Sequence, residues 1–309
     1  MTNITWPDGK KFAFTIFDDT DRTTIHNGPP IYDILADLGF RTTKSVWPLK
    51  GASKPAIGGS TCQDPEYLAW VKSLQSRGFE IALHNVTYHT SDRSTVIEGF
   101  ERFHEYFGSY PHIHVNHGDC QENIYWGDAR FTRMNRALYN LLSNHERQNR
   151  FKGHVQGSKL FWGDICLERI DFVRNFTFLD INTLKVCPYM PYYDPERPFV
   201  KNWFASTDGA NGDRFIEKIS EENQDRLEEE GGACIMYTHF GSRFINDGQM
   251  QPLFKQRMER LSKKNGWFVP VSTLLDYLLS VKGQHVLSDR ERSHLERTWL
   301  RDQIIRKLR

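Results

Sequence analysis

The 309-residue chain has 40 basic and 39 acidic side chains, a formal charge of +1, and 39% hydrophobic and 13% aromatic residues. Such a balance gives no field for nucleic acid or an anionic membrane, and the length suits one large α/β barrel or two ordinary domains. Five widely spaced cysteines (Cys62, Cys120, Cys166, Cys187, Cys234) without a Cys-x-x-Cys pair are read as reduced thiols.

Met1 to Lys11 lacks the apolar core of a signal peptide, and no later run has the apolar length of a transmembrane helix. A soluble, cytoplasmic protein without stable membrane insertion is expected. Phe12 to Phe17 is apolar at nearly every position, as in a strand covered on both faces, and ends in Asp18-Asp19. After Gly28-Pro29-Pro30, residues Ile31, Ile34, Leu35 and Leu38 share a helical face closed by Gly39, and a strand follows over Thr42 to Trp47. The unit recurs: a helix opened by Asp64-Pro65 and closed by Gly78 leads into the strand Glu80 to Leu83, which runs into His84. A helix with Val96, Phe100, Phe103 and Phe107 on one face ends at Gly108, and His112 to Asn116 reads as the next strand. His112 and His114 are assigned to the barrel exterior.

From about Asn149 to Trp203 the pattern is less regular, with strand candidates at Lys159 to Trp162 and Phe176 to Ile181 and a surface loop from Pro188 to Pro198. A charged helix from Asp213 to about Glu229 then precedes the strand Ala233 to Thr238, which ends at His239. A helix around Leu253 to Leu261, the strand Trp267 to Val269 and a helix containing Leu274 to Leu278 complete the cycle. Strand and helix alternation predicts a parallel sheet closed as a distorted (β/α) barrel over residues 1–287. Residues 288–309 read as a basic amphipathic helix with Leu295, Trp299, Leu300, Ile304 and Leu308 clustered, packed across the barrel.

In a parallel barrel all strand C-termini open on one face, where active sites form. That rule brings together Asp18, Asp19, His84, His89 and His239. One carboxylate and two imidazoles make an open site for zinc. A second carboxylate could take a proton from water, and a histidine opposite could donate one to a departing amine.

Phe14 to Asp19 resembles the Thr-Phe-Asp-Asp opening motif of the polysaccharide deacetylase family, and Gly78 to His84 resembles its Gly-His/Phe-Glu-Ile-Gly-x-His segment. The resemblance covers roughly Phe12 to Leu279. It implies a catalytic base at Asp18, metal ligands at Asp19, His84 and His89, and a general acid at His239, after the strand Ile235 to Thr238. His84 and His89 stand one residue farther apart than the family's His-x-x-x-His. Where the family has Arg-x-Pro-Tyr/Phe-Gly, with an arginine bracing the base, this chain has His114-Val115-Asn116-His117-Gly118, and Asn116 or His117 stands in. For the family's Asp and Trp that line the acyl pocket there are two pairs, Trp162 with Asp164 and Trp203 with Asp208, chain order favouring the second. The implied protein is a hydrolase that uses Zn²⁺, or Co²⁺, Mn²⁺ or Fe²⁺, to remove an N-acetyl group from an amino sugar in surface polysaccharide biosynthesis. Its partner is a carbohydrate or sugar precursor. A deformylase or cyclic amidase on the same metal site, or an inactive carbohydrate-binding scaffold, are the alternatives.

Overall fold

The computed structural model describes residues 4–308; Met1 to Asn3 and Arg309, the extreme ends of the two predicted segments, lie outside the described residues. The strands are β1 (Phe12–Asp18), β2 (Thr43–Val46), β3 (Glu80–His84), β4 (Ile113–Val115), β5 (Phe172–Phe178), β6 (Tyr192–Tyr193), β7 (Asn202–Asp208) and β8 (Ala233–Thr238). Beyond them come β9 (Ile245–Asn246), β10 (Gln249–Met250), β11 (Gly266–Trp267) and β12 (His285–Val286). The helices are α1 (Pro29–Asp37), α2 (Pro65–Ser76), α3 (Arg93–Phe107), α4 (Arg133–Leu142), α5 (Gly163–Arg169) and α6 (Thr183–Val186). They continue as α7 (Gly212–Lys218), α8 (Glu221–Glu229), α9 (Pro252–Ser262), α10 (Val271–Lys282) and α11 (Asp289–Leu308).

Seven strands pair in parallel in the order β1, β2, β3, β4, β5, β7, β8, and β8 returns to β1, so the ring is closed. β11 adds to β1 in parallel and β6 to β7 antiparallel. The ring is irregular where the β5 register shifts between Arg174 and Thr177. This is the expected distorted α/β barrel.

Period-two alternation sorts β1 into two faces. Phe14 packs edge-on to Phe40 outside the ring, whereas Phe17 meets Phe204 of β7 within it. Asp18 therefore falls on the outer face, under α1. There it pairs with Lys44 Nζ at 3.0 Å, both side chains fully buried, and accepts from Tyr32 Oη at 3.0 Å and Phe240 N at 2.8 Å. Burial raises its pKa, although Lys44, the Phe240 amide and Tyr32 all oppose that rise.

Helix α3 buries Val96, Phe100, Phe103 and Phe107 as expected, and ends at Gly108 with φ 81°, a left-handed conformation that glycine adopts without strain. The predicted strand at Lys159 to Trp162 is instead a turn leading into α5, and the strand expected at Phe176 to Ile181 begins earlier, at Phe172. The single charged helix is two, α7 and α8, because Ser220 caps the Asn223 amide. Pro188 to Pro198 is not a surface loop: Met190, Tyr192, Asp194 and Arg197 are buried. Asp194 binds Arg197 and Arg292, and Arg197 reaches Glu296 at 3.2 Å. Those partners draw α11 onto the barrel. Leu295, Trp299 and Leu300 are buried there, but Ile304 and Leu308 face outward. All five cysteines are free and buried, and no helix is long and apolar enough to cross a membrane among the described residues.

Lys44→Met should strand the buried Asp18 carboxylate and lower unfolding free energy by about 3–5 kcal/mol. The double variant with Asp18→Asn should recover a substantial part of the loss in urea titrations; equal losses in single and double variants would show that the pair is not what Lys44 supports.

Candidate active site

The loop after β1 is fastened at each step. Asp19 N donates to Thr238 O at 2.9 Å, Thr20 N to Ser45 Oγ at 3.1 Å, and Arg22 N to Gly58 O at 3.0 Å. Across from it, the loop after β8 lies so close that a Cβ on Gly241 would stand 2.3 Å from the Arg22 carbonyl carbon. Glycine is required for that approach. It brings His239 over Asp21, with Nε2 2.9 Å from Asp21 Oδ2.

The loops after β3 and β4 are joined by Asn85, whose left-handed φ of 50° turns the chain sharply after His84. Its side chain accepts from His117 N at 3.2 Å and donates to Glu122 at 2.9 Å and Asn123 at 2.8 Å. His84 and His117 consequently meet, Nε2 to Nδ1, at 2.9 Å. Asp21 lies 3.2 Å from His84 Nε2 through Oδ2 and 3.0 Å from His117 Nδ1 through Oδ1. Trp47 walls both rings, stacked on His84 and edge-on to His117.

These residues fit a divalent ion. Ligand atoms on a tetrahedral zinc with bonds of about 2.0–2.1 Å stand about 3.3 Å apart, close to the separations here. Asp21 Oδ1 is buried and accepts no well-formed hydrogen bond despite its nearby imidazole. Burial lowers the His84 pKa against the pull of Asp19 and Asp21, favouring the neutral form that ligates metal. Asp21 is buried too, which alone would raise its pKa, but His84, His117 and His239 hold it well below the usual carboxylate range. A second grouping, Asp19, Asp21 and His239, shares Asp21. We favour the first because both Asp19 oxygens are engaged by Arg174, Nη1 to Oδ1 at 3.0 Å and Nη2 to Oδ2 at 2.6 Å.

Arg174 projects inward from β5 between the faces of Tyr237 and Phe17, 4.4 and 5.2 Å from their ring centres. His239 Nδ1 donates to Ala210 O at 2.7 Å. Burial works against its charge, but the hydrogen bond and charge of Asp21, with Asp19 behind, push its pKa up to about 9. Asp19, Asp21, His84, His117, Arg174 and His239 all line one cavity of about 690 Å³ at the barrel mouth.

The sequence-derived residues are thus partly reunited. Asp19, His84 and His239 reach the mouth, together with Asn116 and His117, expected as substrate contacts. Asn116 spends its amide on Ile124, donating to its carbonyl and accepting from its N–H at 2.9 Å each. Asp18 does not reach the mouth, because strand alternation sends it to Lys44. His89 joins neither grouping; the chain has turned by then, and its Nε2 lies 3.4 Å from Ser53 Oγ. Trp162 is a core residue donating to Glu122 O at 2.6 Å, and Trp203 is core beside Tyr125. Asp164 faces outward in a bidentate pair with Arg93. Asp208 lies outside the cavity but holds Arg306, which lines it, at 3.1 Å. His114 lies outside the ring against Trp162, and His112 pairs with Asp171 at the surface. Sequence reasoning missed Asp21, Arg174 and the ligand character of His117. Two of them carried a signal, since Asp21 and His117 each follow a barrel strand closely.

No protein-family model and no curated protein sequence matches this chain. Among solved structures, it resembles one described as a polysaccharide deacetylase from Mycobacterium smegmatis, with 14% identity, a TM-score of 0.51, and coverage of 93% of this chain and 97% of the other. Another so described, from Pseudomonas aeruginosa PAO1, has 11% identity, a TM-score of 0.49, and coverage of 90% and 94%. The closed parallel ring and the first of these likenesses bear out the fold expected from the sequence resemblance.

Elemental analysis after growth with zinc should find about one ion per wild-type chain, little in Asp21→Ala, His84→Ala or His117→Ala, and unchanged content in His89→Ala. Metal loss confined to His89→Ala would sink the proposed ligand set. In metal-free protein, labelled His239 should stay protonated at neutral pH and titrate near 9. Its charge then favours folding fully below about 6.5, the unperturbed value, and that contribution fades as pH rises through about 9. Asp21→Asn should move the nuclear magnetic resonance titration of His239 downward.

Proposed function

We propose that this chain is a metal-dependent hydrolase that removes an N-acyl group, foremost acetyl, from an amino sugar. The observation that carries this reading is the convergence of Asp21, His84 and His117, the arginine-braced Asp19 and His239 on one cavity. Asp21, His84 and His117 would hold the ion, which, when bound, supplies Lewis-acid polarisation of the acyl carbonyl and acidifies a water.

The chain's own groups supply the proton transfers. Asp19 lines the cavity and accepts the proton of the attacking water, while the two hydrogen bonds from Arg174 fix the direction of its carboxylate. The resemblance puts the family's bracing arginine at the position of His114, in β4; here Arg174 of β5 supplies one from across the ring. His239 carries a proton at neutral pH and lines the same cavity. It gives that proton to the nitrogen as the C–N bond breaks, so the products are a free carboxylic acid and an amine. Ala210 O fixes the imidazole's other nitrogen. A passive sugar-binding scaffold has no use for this proton-transfer pair. Zinc as the native ion, surface polysaccharide biosynthesis and a cytoplasmic setting remain parts of the proposal, resting on the resemblance and on sequence composition.

Acetate release from N-acetylated sugars and their precursors, with formylated analogues alongside, tests the reading. Asp19→Asn and His239→Ala should each lower turnover by about a hundredfold to ten-thousandfold with metal content retained. Near wild-type rates in both variants, or no acyl release by metal-loaded wild type from any such substrate, would refute it.

A further inference from the structure

The cavity holds more positive charge than the hydrolytic reading uses. Six arginines line the cavity, Arg22, Arg130, Arg147, Arg174, Arg243 and Arg306, against two carboxylates, Asp19 and Asp21. The whole chain, in contrast, is balanced to a charge of +1. Four of these arginines have carboxylate partners: Arg174 in Asp19, Arg147 in Asp119, Arg243 in Asp213 and Arg306 in Asp208. Only Arg174's partner faces the cavity.

Arg130 is the anomaly. It is 7% exposed, yet no carboxylate pairs with its guanidinium among the described residues. Its guanidinium lies 3.7 Å from the Trp126 ring centre and donates through Nη2 to Asn175 O, while Nε is buried without a hydrogen-bond partner. Burial, with the like charges of Arg174, Arg147 and Arg197, pushes its pKa down to about 9, so it remains charged at neutral pH. Trp126 also lines the cavity, and its Nε1 is likewise buried without a partner. Two unmet donors, one on a cation, thus belong to one aromatic wall. A buried guanidinium is costly unless an anion faces it, and its planar fork matches oxyanions. A neutral sugar, whose hydroxyls could satisfy the donors, would leave the charge uncompensated.

We propose that the cavity takes an acylated amino sugar bearing an oxyanion, a phosphate ester or a carboxylate, seated on Arg130 and Trp126 with Arg147 beside them. The sugar and its acyl group rest on the hydrolase reading above; the anion does not. The oxyanion accepts from the Arg130 guanidinium, which packs on Trp126 and also lies over the Trp299 ring, 5.3 Å from its centre.

The test is calorimetric binding to the full chain, with and without zinc. The probes are N-acetylglucosamine, its 1-phosphate and 6-phosphate, and an N-acetylated aminohexuronic acid. At least one anionic probe should bind about tenfold or more tighter than the neutral sugar, with the advantage shrinking as salt rises. Phosphate against carboxylate identifies the anion's source. Arg130→Gln should abolish the advantage. Since that buried site could disturb folding, Arg147→Gln, at a more exposed position, should narrow it with an unchanged thermal midpoint. Equal affinity for neutral and anionic probes, no measurable binding of anionic probes, or an advantage that survives both substitutions would overturn the proposal. Anion-selective binding without acyl release would uphold it and refute the hydrolase reading; acyl release from neutral sugars without anion selectivity would do the reverse.

Discussion

Closing seven parallel strands into a ring fixes where every polar group at a strand end must go. A closed ring leaves its members no free edge, and its strands all finish on one rim. Helices cover the outside, so the backbone beyond each strand turns back over the mouth before descending. Asp21 follows β1, His84 ends β3, His117 follows β4 and His239 follows β8. None of these residues is near another in sequence, and the ring alone makes them neighbours. The loops then need fine adjustment, which Asn85 and Gly241 provide, one by an amide clamp and the other by the absence of a side chain.

Within that frame the charges divide into two kinds. Asp18 and Lys44 form a closed pair on the outer face of the sheet, where Tyr32 and a backbone amide complete the carboxylate's partners. Asp19, one residue later, faces inward and is met from the far side of the ring by Arg174. Adjacent aspartates thus have unlike tasks because a strand sends successive side chains to opposite faces. The first supports the sheet, and the second lines the cavity. Asp21 is different again: three imidazoles surround it and each competes for its two oxygens, the kind of crowding that a cation relieves.

The fold was legible because its signals are local and periodic. The faces of α1 and α3, the wholly apolar β1 and the polar residues terminating β1, β3 and β8 all follow from spacing along the chain. What spacing could not supply was the direction of a side chain at a strand's last residue, or the path of a loop. His89 follows His84 at nearly the expected interval, but the turn at Asn85 sends Val86 into the core and His89 out beside Ser53. The second imidazole comes from the next strand's loop instead. Arg174 was hidden for another reason. A charged residue inside a strand reads as a mark against burial, and only its inward partner Asp19, far away in sequence, makes the position intelligible. The buried stretch around Asp194 and Arg197 escaped notice similarly, its charges being answered by α11.

Helix α11 does more than cover β5. Trp299 and Arg306 belong to it and also line the cavity, so any ligand that touches them binds only the arrangement in which the helix is docked. Docking and binding then share free energy reciprocally: whatever loosens the helix weakens the ligand, and an occupied cavity holds the helix down by the same amount. The helix is in this sense half of a clamp, and the cavity wall is complete only when it has docked.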